Sequence, residues 1–303
     1  MKPIRYNRLV FLFVLTGVLS CLSTSHCRAQ LLSGPRSGGR GSERLITQPG
    51  PASRSGVPDW DVADEFKDDI FTFVRIMYNN GNGWGRRGGG GWRTDFPNAD
   101  LNFSYRLEQL TSMIVDPDAG TLDLLDDKLY DYPFIFIIDP RNLSFRDNEA
   151  KALRRYLLNG GFLMVDDFWG ETMKRHFLSE MEKVFSDKKP ISLDLSHPIF
   201  NAVFPLSIKP QVPSEDSAER NKGNGAYETY EDEILQRYGE GPAPADYMAI
   251  LDDNDRIMVL ICHNTDLSDG WEEEGKSQWF FSRFSEALSY PMGINIVHYA
   301  LTH

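Results

Sequence analysis

The chain has 303 residues, and its 44 acidic and 32 basic residues give a formal net charge of −12 at pH 7. A surface with this excess of negative charge repels phosphate backbones, so the composition argues against nucleic acid as a partner. The length is sufficient for one large domain with its own hydrophobic core, or for a domain that carries an insertion.

Residues 1–29 predict a signal peptide. The first eight residues are basic and contain no acid, and the apolar stretch LVFLFVLTGVL that follows is too short to span a bilayer comfortably. Cys27 and Ala29 are small enough for the minus-three and minus-one positions of a cleavage site, which places Gln30 at the mature N-terminus. The alternatives are a lipid anchor at Cys21, which the bulky Leu19 disfavours, and an uncleaved anchor helix.

Cleavage after Ala29 would take the net charge from −12 to −16 by removing four basic residues, and it would leave Cys262 as the single cysteine. One thiol cannot form an internal disulfide, so an exported domain would be held together by its core alone. We therefore expect a periplasmic or extracellular protein whose mature chain has no transmembrane helix.

Residues 30–58 are rich in Gly, Ser, Pro and Arg, which predicts a flexible linker. The pattern of residues 59–303 is that of a globular domain. Short, nearly continuous apolar runs occur at 70–77, 134–138 and 161–165. Runs of this kind are typical of strands that are buried on both faces of a parallel sheet.

Helical patterns lie between these runs, and the second of them opens with Ser144 and Asp147 in capping-box spacing. Alternating strands and helices predict right-handed crossovers and a sheet that is covered on both faces. Further along the chain, the sequence predicts a β-hairpin at 247–264, a long loop or mobile insertion at 209–233, and a C-terminal helix interrupted near Pro291.

Six blocks of sequence carry a resemblance to a known family. In order over residues 68–302 they are FTFVRIMYNNG…W, YPFIFIIDP, LRRYLLNGGFLMVDDFWG, SHPIFN, LICHNTDLSDGW and MGINIVHYALT. In these blocks the chain resembles the bacterial proteins of domain of unknown function 4159, a family that is similar to the class I glutamine amidotransferase-like superfamily. The resemblance implies a three-layer, flavodoxin-like α/β fold with a mainly parallel sheet, but it implies no reaction.

The catalytic residues of an amidotransferase are missing from this pattern. In those relatives, the strand after a double glycine runs into a tight turn, the elbow, which presents a catalytic cysteine. Counted from Gly161, the elbow position falls on Asp166. His197 stands in HPI, whereas the amidotransferase histidine is usually followed by Pro and Glu. Cys262 and His263 are neighbours on a predicted strand, so their side chains point to opposite faces and cannot form a catalytic pair.

Carboxylates stand at the ends of two predicted parallel strands, Asp139 after one and Asp166 and Asp167 after the other. Ligand sites of open α/β sheets lie at the carboxyl ends of the strands, so we expect these acids to share one pocket. Three ligands or states would explain them: a divalent cation on Asp139 and Asp166, a carboxyl group with a raised pKa that donates a proton, or a polyhydroxylated ligand. Alternatively, Asp166 caps the following helix and Asp167 faces water.

Two loops are expected near the same edge of the sheet. The loop NNGNGWGRRGGGGWR has glycines in GxGxxG spacing, a weak signal because the strand-to-helix context of a dinucleotide site is missing. Trp84 and the neighbouring arginines of this loop could form a lid over a sugar or an anion, or the loop could simply be flexible. The segment NTDLSDGW would bring Asp266 to the rim, although an ordinary turn explains the same residues.

Two functional hypotheses follow. The first, which we favour, is an exported binding or assembly module on a degenerate amidotransferase-like scaffold, with an envelope protein or saccharide as its partner. The second is a carboxylate- or metal-dependent hydrolase that acts on an envelope saccharide or peptide. Clustering of Asp139, Asp166 and His197 in one pocket would favour the enzyme, and their dispersal would favour the binding module.

Overall fold

One mixed sheet organises the described part of the chain, which comprises residues 54, 56–66, 69–79 and 91–303 of a computed structural model. The strands in chain order are β1 (Val74–Met77), β2 (Gly120–Asp123), β3 (Phe134–Ile138), β4 (Phe162–Phe168), β5 (Ile191–Ser192), β6 (Asp246–Leu251) and β7 (Ile257–His263). Across the sheet, they are arranged in the order β2-β1-β3-β4-β7-β6-β5.

Five of the strands are parallel, and they follow the 2-1-3-4-5 order of a flavodoxin-like sheet when β1, β2, β3, β4 and β7 are numbered among themselves. Strand β6 runs antiparallel to β7, and the short β5 runs antiparallel to β6 at the edge. The predicted parallel pairing of the first three apolar runs and the predicted hairpin β6–β7 are therefore confirmed.

Helices cover both faces of the sheet, as predicted. They are α1 (Asn98–Leu110), α2 (Asp147–Leu158), α3 (Gly170–Val184), α4 (Glu215–Arg220), α5 (Asp232–Tyr238), α6 (Asp269–Glu272), α7 (Gln278–Phe280) and α8 (Tyr290–Thr302), and a π-helix at Phe281–Ser289 joins the last two. Alternate residues of the strands feed two buried clusters, one packed on α1 and α8 and the other on α2 and α3. The result is a three-layer α/β fold.

Two local predictions were wrong. Helix α2 begins at Asp147, and its capping interaction joins Glu149 to the backbone N–H of Arg146 at 2.7 Å, so the box does not involve Ser144. Residues 209–233 form no long loop, because they contain α4 and the start of α5. Ser217 holds these two helices together, since its hydroxyl donates to the carbonyl of Tyr230 at 3.2 Å and accepts from the backbone of Asp232 at 3.2 Å.

Strand β4 continues past the predicted end at residue 165 and includes both carboxylates of the sequence VDDF. Its last residue, Phe168, pairs with His263 of β7, and the register shifts between Val165 and Phe168. The extra pairing keeps Asp166 and Asp167 within the sheet instead of in the following turn. Among the described helices, none combines the length and the hydropathy needed to cross a membrane.

Candidate functional site

Asp139 lies immediately after β3, with its backbone in the left-handed region at a φ of 46° and its side chain buried. Its Oδ2 accepts a hydrogen bond from the backbone N–H of Gly91 at 2.7 Å, and its Oδ1 forms an ion pair with Arg141. Asp139 therefore ties the segment that begins at Gly91 to the carboxyl edge of the sheet. Its charge is already compensated by a guanidinium group.

Asp166 lies on β4 beside Ile138 of β3, and its side chain is fully buried. Its Oδ2 accepts hydrogen bonds from the backbone N–H of Ser268 at 3.0 Å and from the Ser268 hydroxyl at 3.2 Å. Its Oδ1 is buried and accepts no hydrogen bond from any residue that the structure describes. Asp166 thus does not cap the helix that follows β4, contrary to one of the two interpretations of the sequence.

Asp167, and not Asp166, has the backbone conformation expected at an elbow, with a φ of 53°. The residue is buried, and its Oδ1 accepts a hydrogen bond from the indole N–H of Trp169 at 3.2 Å. Asp167 therefore does not face water. Whether the elbow is counted from the double glycine or identified by its φ angle, the position carries a carboxylate and no thiol.

The segment after β7 covers the end of β4. Asn264, with a φ of 57°, accepts a hydrogen bond through its Oδ1 from the backbone N–H of Gly170 at 2.8 Å. Asp266 is buried, and its Oδ1 accepts from the backbone N–H of Asp269 at 2.8 Å. The Ser268 hydroxyl lies 2.8 Å from the same oxygen, so Asp266 and Asp166 share its single hydrogen. This turn starts α6 directly above Asp166.

A second group of carboxylates lies beside this turn. One side-chain oxygen from each of Asp95, Asp269 and Glu272 lies within 4.8 Å of the others, a spacing that could hold a metal ion. The fully buried Arg75 of β1 supports the segment that carries Asp95, because its guanidinium donates to the carbonyl of Trp92 at 3.1 Å and also forms an ion pair with Asp100 at 3.0 Å.

We call these seven side chains the acidic cluster: Asp95, Asp139, Asp166, Asp167, Asp266, Asp269 and Glu272. Burial raises the pKa of Asp166 to about 7. Burial, followed by the charge of Asp139, raises the pKa of Asp167, and burial, followed by the charge of Asp167, raises the pKa of Asp266. Burial also raises the pKa values of Asp95 and Asp269.

Burial is the first cause of all these shifts, and for Asp95, Asp167, Asp266 and Asp269 the charges of neighbouring carboxylates add to it. The arginines beside the cluster do not balance it, because Arg75 is paired with Asp100, and Arg141 is shared between Asp139 and Glu233. The remaining carboxylates need protons, a cation or hydrogen-bond donors from a ligand.

Two predicted site residues lie apart from the acidic cluster or outside the described residues. The His197 ring packs 5.7 Å from the ring of Tyr299, which in turn contacts Phe162 at the amino end of β4, on the opposite edge of the sheet. Trp84 lies outside the described residues. Cys262 is fully buried, and burial raises the pKa of its thiol.

Asp139, Asp166, Asp167 and Asp266 were predicted at this edge of the sheet from the sequence, whereas Asp95, Asp269 and Glu272 were not. Part of the missing signal was available, because Asp269 stands three residues after Asp266 in the same turn-rich segment. Arg75 was a second signal, since a charged residue inside the apolar run FTFVRIMY requires a buried partner.

Comparison with known proteins agrees with the resemblance noted in the sequence. The family model described as a domain of unknown function, DUF4159, matches residues 72–301. No curated protein matches the chain. The match includes all seven strands and the segments that carry the acidic cluster. The chain therefore belongs to the DUF4159 family.

Proposed function

We propose that the chain is an exported binding module on a degenerate amidotransferase-like scaffold, and that it binds an envelope saccharide at the acidic cluster. The observation that carries this proposal is the elbow, where Asp167 takes the strained backbone position that would present a nucleophilic cysteine. A carboxylate there can accept hydrogen bonds from a ligand, but it cannot support the thiol chemistry of glutamine hydrolysis.

The positions of the other candidate catalytic residues support binding over thiol catalysis. Cys262 is buried in the sheet, and the raised pKa of its thiol keeps it protonated and unreactive. His197 is at the amino edge of the sheet, so it cannot act as a base at the elbow. Asp139 and Asp166 lie at one edge of the sheet and His197 at the other, so the clustering of all three residues that would favour the enzyme is not met.

The ligand class follows from the unsatisfied acceptors. Buried oxygens of Asp95 and Asp166 have no hydrogen-bond partner among the described residues, and an unpartnered buried acceptor is costly. Hydroxyl groups of a saccharide are donors that would satisfy such oxygens once the segments that cover them open to admit the ligand. The signal-peptide pattern of residues 1–29 is the reason to choose a saccharide of the cell envelope.

A hydrolase remains the second candidate, and one specific observation favours it. Because burial raises the pKa of Asp166 to about 7, this group would carry a proton for part of the time at neutral pH, beside carboxylates that could act as bases. Glycosidic hydrolysis uses a protonated carboxylic acid and a second carboxylate in this way.

Cosedimentation with purified peptidoglycan sacculi tests the proposal, with analysis of the soluble fraction for released fragments. We expect the mature wild-type chain to pellet with sacculi and to release no fragments. Asp167→Asn should reduce pelleting, whereas Glu182→Gln, on an exposed position of α3, should not change it. Fragments that depend on Asp166 would support the hydrolase instead, and a wild-type chain that neither pellets nor releases fragments would refute both assignments.

Export is tested separately by mass spectrometry of the mature N-terminus. We expect a chain that begins at Gln30. A lipid-modified Cys21 would show that the chain carries a lipid anchor and is not cleaved after Ala29. An intact Met1 would show that no signal peptide is removed.

A further inference from the structure

Asp95, Asp269 and Glu272 come from two segments that meet at the carboxyl edge of the sheet. Their oxygens lie within 4.8 Å of one another. Ca²⁺ binds carboxylate oxygens at about 2.3–2.6 Å, so two ligands on opposite sides of the ion are up to about 5 Å apart. Mg²⁺ binds oxygens at about 2.0–2.1 Å and demands a nearly ideal octahedral geometry, whereas Ca²⁺ accepts longer distances and irregular arrangements. A site of three carboxylates from two segments, with oxygens spread over up to 4.8 Å, therefore suits Ca²⁺ better than Mg²⁺.

Asp166 supplies an independent sign that a ligand belongs here. Its Oδ1 is fully enclosed and has no hydrogen-bond partner among the residues that the structure describes. The other oxygen of the same carboxyl group bonds to Ser268, the residue immediately before Asp269, and the charge of Asp166 acts on Asp95, so this carboxyl group adjoins the three carboxylates. A buried carboxylate oxygen in this position lacks a donor or a cation.

The surrounding groups orient the ligands. The backbone N–H of Glu215 donates to Oδ2 of Asp269 at 2.6 Å, and this contact fixes the carboxylate from outside the site. Arg75 holds the carbonyl groups of Trp92 and Thr94, just before Asp95. Partners of this kind, which position a ligand without touching the ion, are typical of metal sites.

Nearby basic side chains already have acidic partners. Arg75 is paired with Asp100, and Lys276, close to α6 in sequence, lies 2.7 Å from Glu215 and 3.3 Å from Glu273. Arg75 acts on Asp95 and Glu272, and Lys276 acts on Glu272, but burial outweighs these charges and the pKa values of both carboxyl groups are raised. From the spacing, the unpartnered oxygen of Asp166 and this charge imbalance, we propose that Asp95, Asp269 and Glu272 bind one divalent cation, with Ca²⁺ preferred over Mg²⁺.

The proposed cation site deepens the proposed function, and it rests on that function only in assigning the cation a role in envelope binding. A cation would bridge the acidic cluster to hydroxyl or carboxylate oxygens of a saccharide, since Ca²⁺ accepts six to eight oxygen ligands and the protein would provide only part of them.

Isothermal titration calorimetry of the mature chain, stripped with EDTA and dialysed, tests the cation site with Ca²⁺ and Mg²⁺ alone. We expect Ca²⁺ to bind more tightly than Mg²⁺ and to raise the melting temperature. Glu272→Gln and Asp95→Asn should each weaken Ca²⁺ binding by about tenfold or more. Glu286→Gln, an exposed glutamate on the π-helix, is the matched control and should bind like the wild type.

The two proposals fail in different ways. If wild-type protein shows neither heat nor thermal stabilisation with either ion, or if both variants bind Ca²⁺ like the wild type, the cation site is refuted. Tighter binding of Mg²⁺ than Ca²⁺ would refute the stated preference. Cosedimentation with sacculi in EDTA and in CaCl₂ separates the function from the site: pelleting in EDTA by a chain that binds no cation refutes only the cation site. Cation binding without pelleting in either buffer refutes only the saccharide-binding function.

Discussion

One side-chain oxygen of Asp166 is bonded to Ser268, and the other has no hydrogen-bond partner among the described residues. Asparagine at this position would keep an acceptor for Ser268 and remove the buried charge. We expect Asp166→Asn to raise the melting temperature in metal-free buffer at pH 7.5, because ionising a group whose pKa is about 7 among like charges costs free energy in the folded state. The same change should weaken Ca²⁺ binding.

Asp166→Ala is the companion variant. It would remove the charge as well, but it would leave the Ser268 N–H without its acceptor, at a cost of about 1–3 kcal/mol, while the Ser268 hydroxyl could still donate to Asp266. We therefore expect Ala to melt below Asn under the same conditions. Thermal unfolding monitored by circular dichroism measures the order, and an Asn variant that melts below the wild type in metal-free buffer would show that the charge of Asp166 is not destabilising.

At this scale the sequence predicted the site only in part. Asp139 and Asp166 could be placed together because consecutive apolar runs with a helix between them form neighbouring parallel strands. Asp95 could not be paired with Asp269 and Glu272, because that contact depends on how α1 packs against α6, across more than 170 residues of chain. No local periodicity encodes such a contact.

At the scale of elements, α3 receives its N-terminal caps from distant segments. Asn264 accepts from Gly170 N–H, and Glu240 accepts from the N–H groups of Glu171 at 2.5 Å and Thr172 at 3.1 Å. The sequence suggested Asp166 as the cap because carboxylates are common just before helices. The structure replaces it with residues that are 94 and 69 positions away in sequence from their partners, which no local rule could identify.

Glu240→Ala tests this capping arrangement. The loss of the carboxylate would leave two N–H groups of the first turn without their acceptor and remove a negative charge near the helix N-terminus, so we expect the free energy of unfolding to fall by about 0.5–2 kcal/mol. Glu240→Gln retains one acceptor and should lose less. Glu182→Ala, on an exposed position of the same helix, should change the stability by no more than about 0.5 kcal/mol. Urea unfolding measures the three values, and equal losses for Glu240→Ala and Glu182→Ala would contradict the cap.

The C-terminal helix was predicted from the sequence with an interruption near Pro291. Pro291 indicated an interruption, and the structure has Pro291 in the first turn of α8, directly after the π-helix Phe281–Ser289. Proline has no N–H to donate, and it lies where the bonding pattern changes from the π-helix to α8. The change of helix type was not predictable, since it depends on contacts such as the Ser289 hydroxyl with the Leu267 carbonyl next to the acidic cluster.

For the whole molecule, the acidic cluster makes the stability of the metal-free protein depend on pH in an unusual direction. A carboxyl group whose pKa is higher in the folded than in the unfolded chain stabilises the fold fully below its unfolded pKa of 3.8, and this contribution is lost as the pH rises through the folded value, about 7 for Asp166. Asp95, Asp167, Asp266 and Asp269 act in the same direction, because burial raises their pKa values too.

Buried histidine opposes this trend. Burial lowers the pKa of His263, so protonation of the unfolded chain favours unfolding as the pH falls below about 6.5. Between pH 7.5 and pH 5.5, His263 would destabilise the fold, whereas Asp166 alone would stabilise it by about 2 kcal/mol. The other carboxyl groups of the cluster also stabilise the fold as the pH falls, so we expect the net effect to be stabilisation.

We therefore expect the EDTA-treated mature chain to melt at a higher temperature at pH 5.5 than at pH 7.5, by a few degrees for each kcal/mol gained. Differential scanning calorimetry in two buffers of matched ionic strength measures the difference. Asp166→Asn should show a smaller difference, because one of the titrating groups is gone, while Asp253→Asn, whose side chain is 94% exposed, should behave like the wild type. Added Ca²⁺ should reduce the difference by stabilising the protein more at pH 7.5, where the carboxylates are ionised and can bind it. A wild-type chain that melts lower at pH 5.5 than at pH 7.5 in EDTA would mean that the acidic cluster does not hold protons in the folded state.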